Sequence, residues 1–486
     1  MRTAIIGGGI AGLAAAWELE KARAAGEDVE YVLFEARERL GGVLASEVVN
    51  GAVLEGGPDS FLTEKPAAAE LCRELGLGES LTPSNDAARK TWIVVRNRLI
   101  ALPDGLMFLI PTKLVPTALT QLFSMGTKIR MGLELLLPPR PAEKDESVAA
   151  LVERHYGREA VERLADPLLS GIFGGDATQL SAQTVLPRLV EMEEKYGSLT
   201  RGMLAAHKAM RKRMAAHSSA AGTTKGVGAK PAPRGVFTTL RGGMRQLVDA
   251  LETRLSPEAI RRRAPVSSLR REGEGWRVTS NGTAEHFDAV ILATPAWAAG
   301  ALLSTVDTEL GEDLSAIPYS SSITVNLVFD ESALGPLPEG FGFLVPAAEG
   351  RTMLACTFAH RKFLGRTPAG KAVLRAFLGG ARNEKLLDES DEALLATVRR
   401  ELREILGDAV MRDGVEPESV QVARWRRAMA QYAVGHQERM ERICARVETL
   451  PGLKLAGNAY DGIGISDCIR LGRGAAQELM ETAVKA

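Results

Sequence analysis

The chain is short of several things that a specialised protein carries in excess. Its 486 residues hold four cysteines (Cys72, Cys356, Cys444, Cys468), far apart and with no C-x-x-C pair. That spacing argues against zinc and iron–sulfur sites and fits a reducing compartment. Charge of one sign is missing too: 60 Lys plus Arg against 61 Asp plus Glu leave a formal −1. No global field therefore draws the chain to nucleic acid or to an anionic membrane, and any basic patch is local. No apolar run is long enough to span a bilayer. The first apolar run begins at Arg2, which leaves no room for a leader, so a cytoplasmic location is expected. His155, His360 and His436 stand apart from one another and read as structural, so no catalytic side chain and no metal ligand is assigned. What remains, 45% hydrophobic and 25% charged, is ordinary for a globular chain of two or three domains.

What is present is glycine in particular places. Arg2 to Ile6 is a short apolar run that enters Gly7-Gly8-Gly9-Ile10-Ala11-Gly12, and an alanine-rich helical stretch follows. After a polar break, a second apolar run from Tyr31 to Phe34 ends on Glu35. Strand, G-x-G-x-x-G, helix, strand and acid at this spacing form the dinucleotide-binding βαβ pattern. Gly7 allows the tight turn, Gly9 lets the backbone approach a pyrophosphate, and Gly12 lets helix and strand pack. The helix N-terminus offers free N–H groups to the anion. Glu35 would accept ribose hydroxyls and repel a 2′-phosphate. Arg39 and the pair Gly41-Gly42 follow at once, and an acid, an arginine and two glycines favour FAD over NAD. Gly56-Gly57-Pro58-Asp59-Ser60 is a further close-approach loop, stiffened by its proline.

Further along, a short helix is expected within 65–77 and a hairpin over 90–102 that turns at Arg96-Asn97-Arg98, with Arg89 and Lys90 in a local basic cluster. From Pro103 to His217 the composition is helical and apolar with scattered positive charge. Amphipathic helices are predicted over 147–163 and 186–214. Leu106 to Leu137, broken by prolines, is either buried against the protein or an interfacial, membrane-touching surface. Pro167 to Ser181, with Gly171, Gly174 and Gly175, does not fit a helix and reads as backbone pressed against something. Residues 217–235 read as a mobile loop. A buried strand ends at Ala293-Thr294-Pro295. Short β-branched runs between Ser320 and Leu378 suggest an antiparallel sheet, and a helix over 391–406 is capped by Ser390. A last strand, Leu453 to Ala456, meets a second glycine-rich junction through Ile463-Gly464-Ile465. The N-terminus of the helix that follows suits the pyrimidine side of a flavin. The expected fold is α/β plus α+β. A Rossmann-like FAD-binding domain is assembled from discontinuous segments (1–62, 235–300, 421–486). An antiparallel-sheet substrate domain (63–102, 301–420), an inserted helical domain (103–216) and the loop 217–234 complete it.

With these motifs in hand, the chain resembles the protoporphyrinogen/coproporphyrinogen oxidases of the flavin amine oxidase-like superfamily over nearly its whole length. The carriers are GGGIAGL (7–13), E-x-x-x-R-x-G-G (35–42), GGPDSF (56–61), GIFGGD (171–176), GFGFLVP (340–346), Arg424-Trp425 with Gln431-Tyr432 and Gly435-His436, and GNAYDGIGISDCI (457–469). The resemblance implies FAD, a porphyrinogen substrate losing six electrons in heme biosynthesis, dioxygen as acceptor, a peripheral membrane contact, and room for a homodimer; no nucleic acid is implied. It places FAD contacts on Gly7, Gly8, Gly9, Ile10, Ala11, Gly12, Glu35, Ala36, Arg39, Gly41, Gly42, Val43, Gly57, Pro58, Asp59, Ser60, Val266, Trp425, Ile463, Gly464 and Ile465. Substrate-facing positions would be Gly171, Gly175, Leu344 and Phe363, with Arg89 and Thr91. Two departures stand out. Thr91 occupies the place where many members have an arginine that grips a propionate, and Ala430-Gln431-Tyr432 replaces Pro-Gln-Tyr. The first leaves protoporphyrinogen IX, with two carboxylates, and coproporphyrinogen III, with four, both open, the former taken first. An amine oxidase or desaturase-like flavoenzyme and a non-enzymatic flavin-binding adaptor are the alternatives.

Overall fold

The computed structural model describes residues 1–103, 105–107, 109–111, 113–139, 144–220 and 235–485. Widely separated stretches of chain build one five-stranded parallel sheet, in the order Ile260–Arg261, Glu30–Phe34, Arg2–Ile6, Ala289–Leu292, Leu453–Leu455. The central strands are apolar on both faces, as a covered parallel sheet requires. Ile5, Tyr31 and Leu33 point to a core shared with the helices Ile10–Ala24 and Ile465–Lys485. Ala4, Ile6, Val32 and Phe34 point the other way, to Trp276 and Phe287 of a three-stranded antiparallel sheet and to the helix Ala296–Leu303. At Gly472 a Cβ would fall inside contact distance of the Ala11 carbonyl. The chain's last helix and its first therefore pack backbone to backbone.

The second sheet has seven strands, in the order Ser419–Ala430, Tyr319–Asp330, Lys371–Gly379, Met353–Phe358, Gly342–Leu344, Thr91–Val95, Arg98–Ala101. All neighbours are antiparallel except Gly342–Leu344 beside Thr91–Val95. The predicted hairpin turns where expected, with Arg96 and Asn97 both at positive φ (49° and 63°), the backbone of a two-residue type I′ turn. The helix Asp391–Leu406 is capped by Ser390, whose hydroxyl accepts from the Ala393 N–H, and it buries Leu394, Val398, Leu402 and Ile405 against this sheet. Ser419–Ala430 is the edge strand of this second sheet, although the sequence alone places residues from 421 on with the cofactor segment.

Helices make up most of the insert, with a core of their own that includes Leu122, Leu151, Tyr156, Leu164 and Leu199 and closes on Ile93 and Val95 of the second sheet. Three expectations change here. Asp166–Phe173 is a helix: Pro167 sits in its first turn, where a missing N–H costs nothing, and Gly174 ends it in the left-handed region at φ 55°. The predicted helix over 147–163 is interrupted at Gly157, and the one over 186–214 at Gly197. Residues 217–220 belong to the helix Leu199–Ala220, and 221–234 of the expected mobile loop lie outside the described residues. The segment around 115–136 is half in and half out. Leu122, Phe123 and Met131 are buried, whereas Val115, Leu119 (78% exposed), Met125, Ile129, Leu133 and Leu136 (77%) face outward. Among the described residues no helix is long and apolar enough to cross a membrane.

Candidate active site

The strand–turn–helix at the N-terminus has the geometry of an anion cradle. Gly7 adopts φ 111°, and a Cβ there would come within 2.5 Å of the Ala293 carbonyl oxygen. A Cβ on Gly12 would fall inside contact distance of the Gly7 carbonyl, while one on Gly9 would meet nothing within 4 Å. Gly7 and Gly12 are thus glycines because the protein fills the space, and Gly9 borders space that the protein leaves free. The helix begins with no side-chain cap and no acidic residue in its first turn, so its N–H groups and dipole are available to an anion. Glu35 is held from two sides: Gly8 N–H donates to Oε2 (2.8 Å) and Arg37 N–H to Oε1 (2.8 Å). Each oxygen keeps a lone pair for a further donor. Beside Gly7 lies Thr294, whose Oγ1 is buried with no partner among the described residues. An open glycine, an uncapped helix and an orphaned buried hydroxyl at one sheet edge fit a phosphate-bearing cofactor. The sequence marks Thr294 as the end of a buried strand, a typical place for a ligand at a sheet's carboxyl edge, without putting it among the named contacts.

The second glycine pair closes against the first. Gly41 N–H donates to Gly8 O (2.8 Å), and a Cβ on Gly42 would come within 3.3 Å of Gly9 Cα. Arg39 does not project into the open. Its guanidinium donates to Gly42 O (2.6 Å) and to Leu40 and Leu44 carbonyls, 5.7 Å from the Trp425 ring centre. Burial, with Arg245 and Arg37 nearby, lowers its pKa. Trp425 in turn donates its indole N–H to Gly56 O (2.7 Å). Gly57 packs so closely on Val43 that a Cβ would overlap the Val43 carbonyl. Ala36 and Pro58 are exposed. Val266 lies two residues beyond Ala264, whose N–H donates to Glu35 O (2.9 Å).

Under the loop 56–60 lies an ionic cluster that no sequence spacing announced. Lys362 Nζ donates to both Asp59 oxygens (3.0 and 2.9 Å), and Arg375 lies 3.4 Å from the same carboxylate. Ser60 donates to Asp59 Oδ1 (2.6 Å). Burial opposes ionisation of Asp59, but the two cations outweigh it and hold the carboxyl below the usual range. Arg366 pairs with buried Glu55, and Arg375 also donates to Gly57 O. Phe363 is enclosed here, its ring 5.0 Å from Lys362 Nζ and 5.8 Å from the Arg366 guanidinium.

At the second junction, Asp467 in the first turn of the C-terminal helix accepts from Gly464 N–H (3.2 Å) and is paired with Lys65 (2.8 and 2.7 Å). One carboxylate already serves that N-terminus. Ile463 joins the core on the Trp276 side of the sheet and Ile465 the other. Of the substrate-facing positions, Gly171 and Leu344 meet: a Cβ on Gly171 would stand 3.1 Å from Leu344 Cδ2. Thr91 pairs in register with Gly342, two residues from Leu344. Arg89 lies outside the strand end, exposed, 4.0 Å from Asp86. Gly175 packs on Gln431 and Leu180. Of the three histidines read as isolated, His360 bonds to the Val373 backbone and His436 stacks on Tyr432. His155, by contrast, sits between two glutamates in the insert.

The sequence profile of flavin containing amine oxidoreductases matches residues 10–480. The chain belongs to that family. The coproporphyrinogen III oxidase of Bacillus subtilis (strain 168) is 34% identical over 479 residues, which cover 98% of this chain and 97% of that one. Human protoporphyrinogen oxidase is 32% identical over 507 residues, 98% of each chain. Among solved structures, a candidate protoporphyrinogen oxidase from Exiguobacterium sp. 255-15 superposes with a TM-score of 0.84 at 32% identity, covering 99% of both chains. In a flavin-containing oxidoreductase of this family, the cradle between Gly9, Glu35 and Thr294 has the elements a dinucleotide flavin needs.

Proposed function

We propose that this chain is an FAD-dependent oxidase that converts a porphyrinogen to the porphyrin in heme biosynthesis, with dioxygen as acceptor. One observation carries this: the likeness to named porphyrinogen oxidases runs through the insert and the seven-stranded sheet as well as the cradle, since it covers 98% of the chain. FAD, when bound, takes up two electrons per round as a hydride, and three rounds remove six. The chain's own contribution is to hold and orient. Gly9 admits the diphosphate to the N-terminus of the helix Ile10–Ala24, and Glu35, fixed by Gly8 and Arg37, accepts ribose hydroxyls. The Asp59 cluster and Trp425 keep the loop 56–60 in place. Gly171 and Leu344 form one wall of an apolar slot for the macrocycle. No histidine is offered as a base: His436 is lowered to about 4, chiefly by burial, and His155 and His360 are engaged elsewhere.

Protoporphyrinogen IX is the first substrate read from the sequence. Coproporphyrinogen III is favoured by a separate observation: Arg89 and Lys90 are exposed at the mouth of the strand that starts with Thr91, and cations there suit a substrate with more carboxylates. Anaerobic loading of the flavoprotein with each porphyrinogen, followed by oxygen, tests both. Fluorescent porphyrin is expected from at least one, and the ratio ranks them; FAD-loaded protein that yields neither sinks the reading. The exposed apolar residues of 115–136, with Lys113 before them and Lys128 among them, support a peripheral membrane contact.

A further inference from the structure

The helix Asp166–Phe173 brings Gly171 to Leu344, and the means by which it is fastened to the sheet is unusual. Arg382, just beyond the strand Lys371–Gly379, reaches both ends of the segment 166–176. Its Nη2 donates to Asp166 Oδ1 (2.7 Å) and Nη1 to Oδ2 (3.2 Å), while Nε donates to Asp176 Oδ2 (2.9 Å). Nη2 is also 2.7 Å from Asp176 Oδ1. Asp166 Oδ2 further accepts from the Ala347 N–H (3.3 Å), three residues past Leu344. Backbone ties run alongside: Ala381 N–H donates to Gly174 O (2.8 Å), and Gln431 Nε2 to Phe173 O (2.8 Å).

An isolated surface ion pair would contribute little. This is a fork gripping two carboxylates at once, one of them buried. Burial opposes ionisation of Asp176, but Arg382 and Thr178 hold its carboxyl at about 2. The guanidinium also keeps together two negative charges that would push the ends of the segment apart without it.

We propose that Arg382 is a positioning residue: by clasping Asp166 and Asp176 it fixes the helix that carries Gly171 at the distance from Leu344 that the porphyrinogen slot requires. This rests on Gly171 and Leu344 facing the substrate, as proposed above.

The test is steady-state kinetics on the FAD-loaded protein, with FAD affinity and thermal midpoint measured on each variant. Arg382→Ala is expected to raise KM for the porphyrinogen about tenfold or more with kcat changed less than about threefold, the pattern of a wall that binds substrate and transition state alike being displaced. FAD affinity should not move. Arg382→Lys should recover part of the loss, since a point charge neutralises but does not fork. Adding Asp176→Asn to Arg382→Ala should also lower KM again by relieving the repulsion, a recovery that a simple structural tie would not give. Leu344→Ala separates the two layers of the proposal. If it shifts KM while Arg382→Ala does not, the clasp is overturned and the slot stands. If neither shifts KM, both fall. Loss of FAD affinity and midpoint in step with activity in Arg382→Ala would also overturn the clasp, by showing a merely structural tie.

Discussion

Replacing His155 with glutamine should destabilise the helical insert more at pH 6 than at pH 9. The ring is 1% exposed, with Nδ1 3.0 Å from Glu134 Oε1 and Nε2 3.1 Å from Glu193 Oε1. Glu193 is shared with Arg154, which also holds Glu146. Glu134 accepts from Ser198 Oγ (2.8 Å) and Leu199 N–H (2.6 Å), so it caps the helix Leu199–Ala220. Tyr156 packs beside the imidazole. Burial by itself pushes the His155 pKa down, but the two glutamates outweigh it, and the net shift is upward from 6.5. Glu134 and Glu193 shift downward from 4.5 although burial opposes it, with His155 the foremost favourable partner of each. A raised histidine gives stability that is complete below its unfolded pKa and is lost as pH rises through its folded one. Lowered glutamates give stability that is present above their unfolded pKa and lost as pH falls through the folded one. The network is therefore strongest from the unfolded glutamate pKa up to that of the unfolded histidine. Its alkaline edge belongs to His155.

Removing one partner from a buried charged pair costs about 3–5 kcal/mol. Arg154 and the N–H groups on Glu134 remain, so the lower end, about 3 kcal/mol, applies at pH 6. Well above the folded pKa the wild-type ring is neutral and donates a single N–H, and the difference between wild type and variant shrinks to about one hydrogen bond, about 1 kcal/mol. A chain with several separate hydrophobic cores need not melt in two states, so the measurement is amide hydrogen exchange over 148–156 and 199–209 across this pH range. An equal loss of protection at both pH values would refute the argument, because it would mean that His155 is uncharged in the fold.

Three further outcomes follow from the geometry. Gly9→Ala should weaken FAD binding by about tenfold or more while leaving the apoprotein's thermal midpoint unchanged, because its Cβ meets no protein atom within 4 Å; Gly12→Ala should lower the midpoint itself, by about 1–3 kcal/mol of stability. Leu119→Glu with Leu136→Glu should cut sedimentation with anionic lipid vesicles by about a hundredfold, at about 1.5 kcal/mol or more of apolar burial per side chain, and unaltered sedimentation would place the contact elsewhere. Arg89→Ala with Lys90→Ala should lower turnover of coproporphyrinogen III more than that of protoporphyrinogen IX; an unchanged ratio in the same oxygen-pulse assay would remove these cations from substrate selection.

The parallel sheet and its cradle were legible because their causes are local. Arg2–Ile6 and Glu30–Phe34 are buried on both faces and so read as plain apolar runs, and Gly12 meets a carbonyl only five residues back, inside the motif. Gly57 and Gly472 obey the same steric rule against Val43 and Ala11, yet nothing near either glycine announces the partner. The helix Asp166–Phe173 was hidden by its glycines, which read as irregular backbone although Gly174 terminates the helix and Gly171 lies within it. The strand Ser419–Ala430 was hidden by a bulge: pairing shifts between Ser320 and Ser322, and Arg427 takes a positive φ of 46°, which breaks the alternation of faces. The charges that brace the cradle were the least legible. Asp59 meets Lys362 and Arg375, Glu55 meets Arg366, and Asp166 meets Arg382 across hundreds of residues, with no spacing to betray them. A cofactor motif can be compact in sequence because the ligand is small and the turn that receives it is one turn. The walls of the proposed slot come from distant strands and helices, and long-range ion pairs such as Asp166–Arg382, together with backbone bonds such as Ala381 N–H to Gly174 O, set the distance between them.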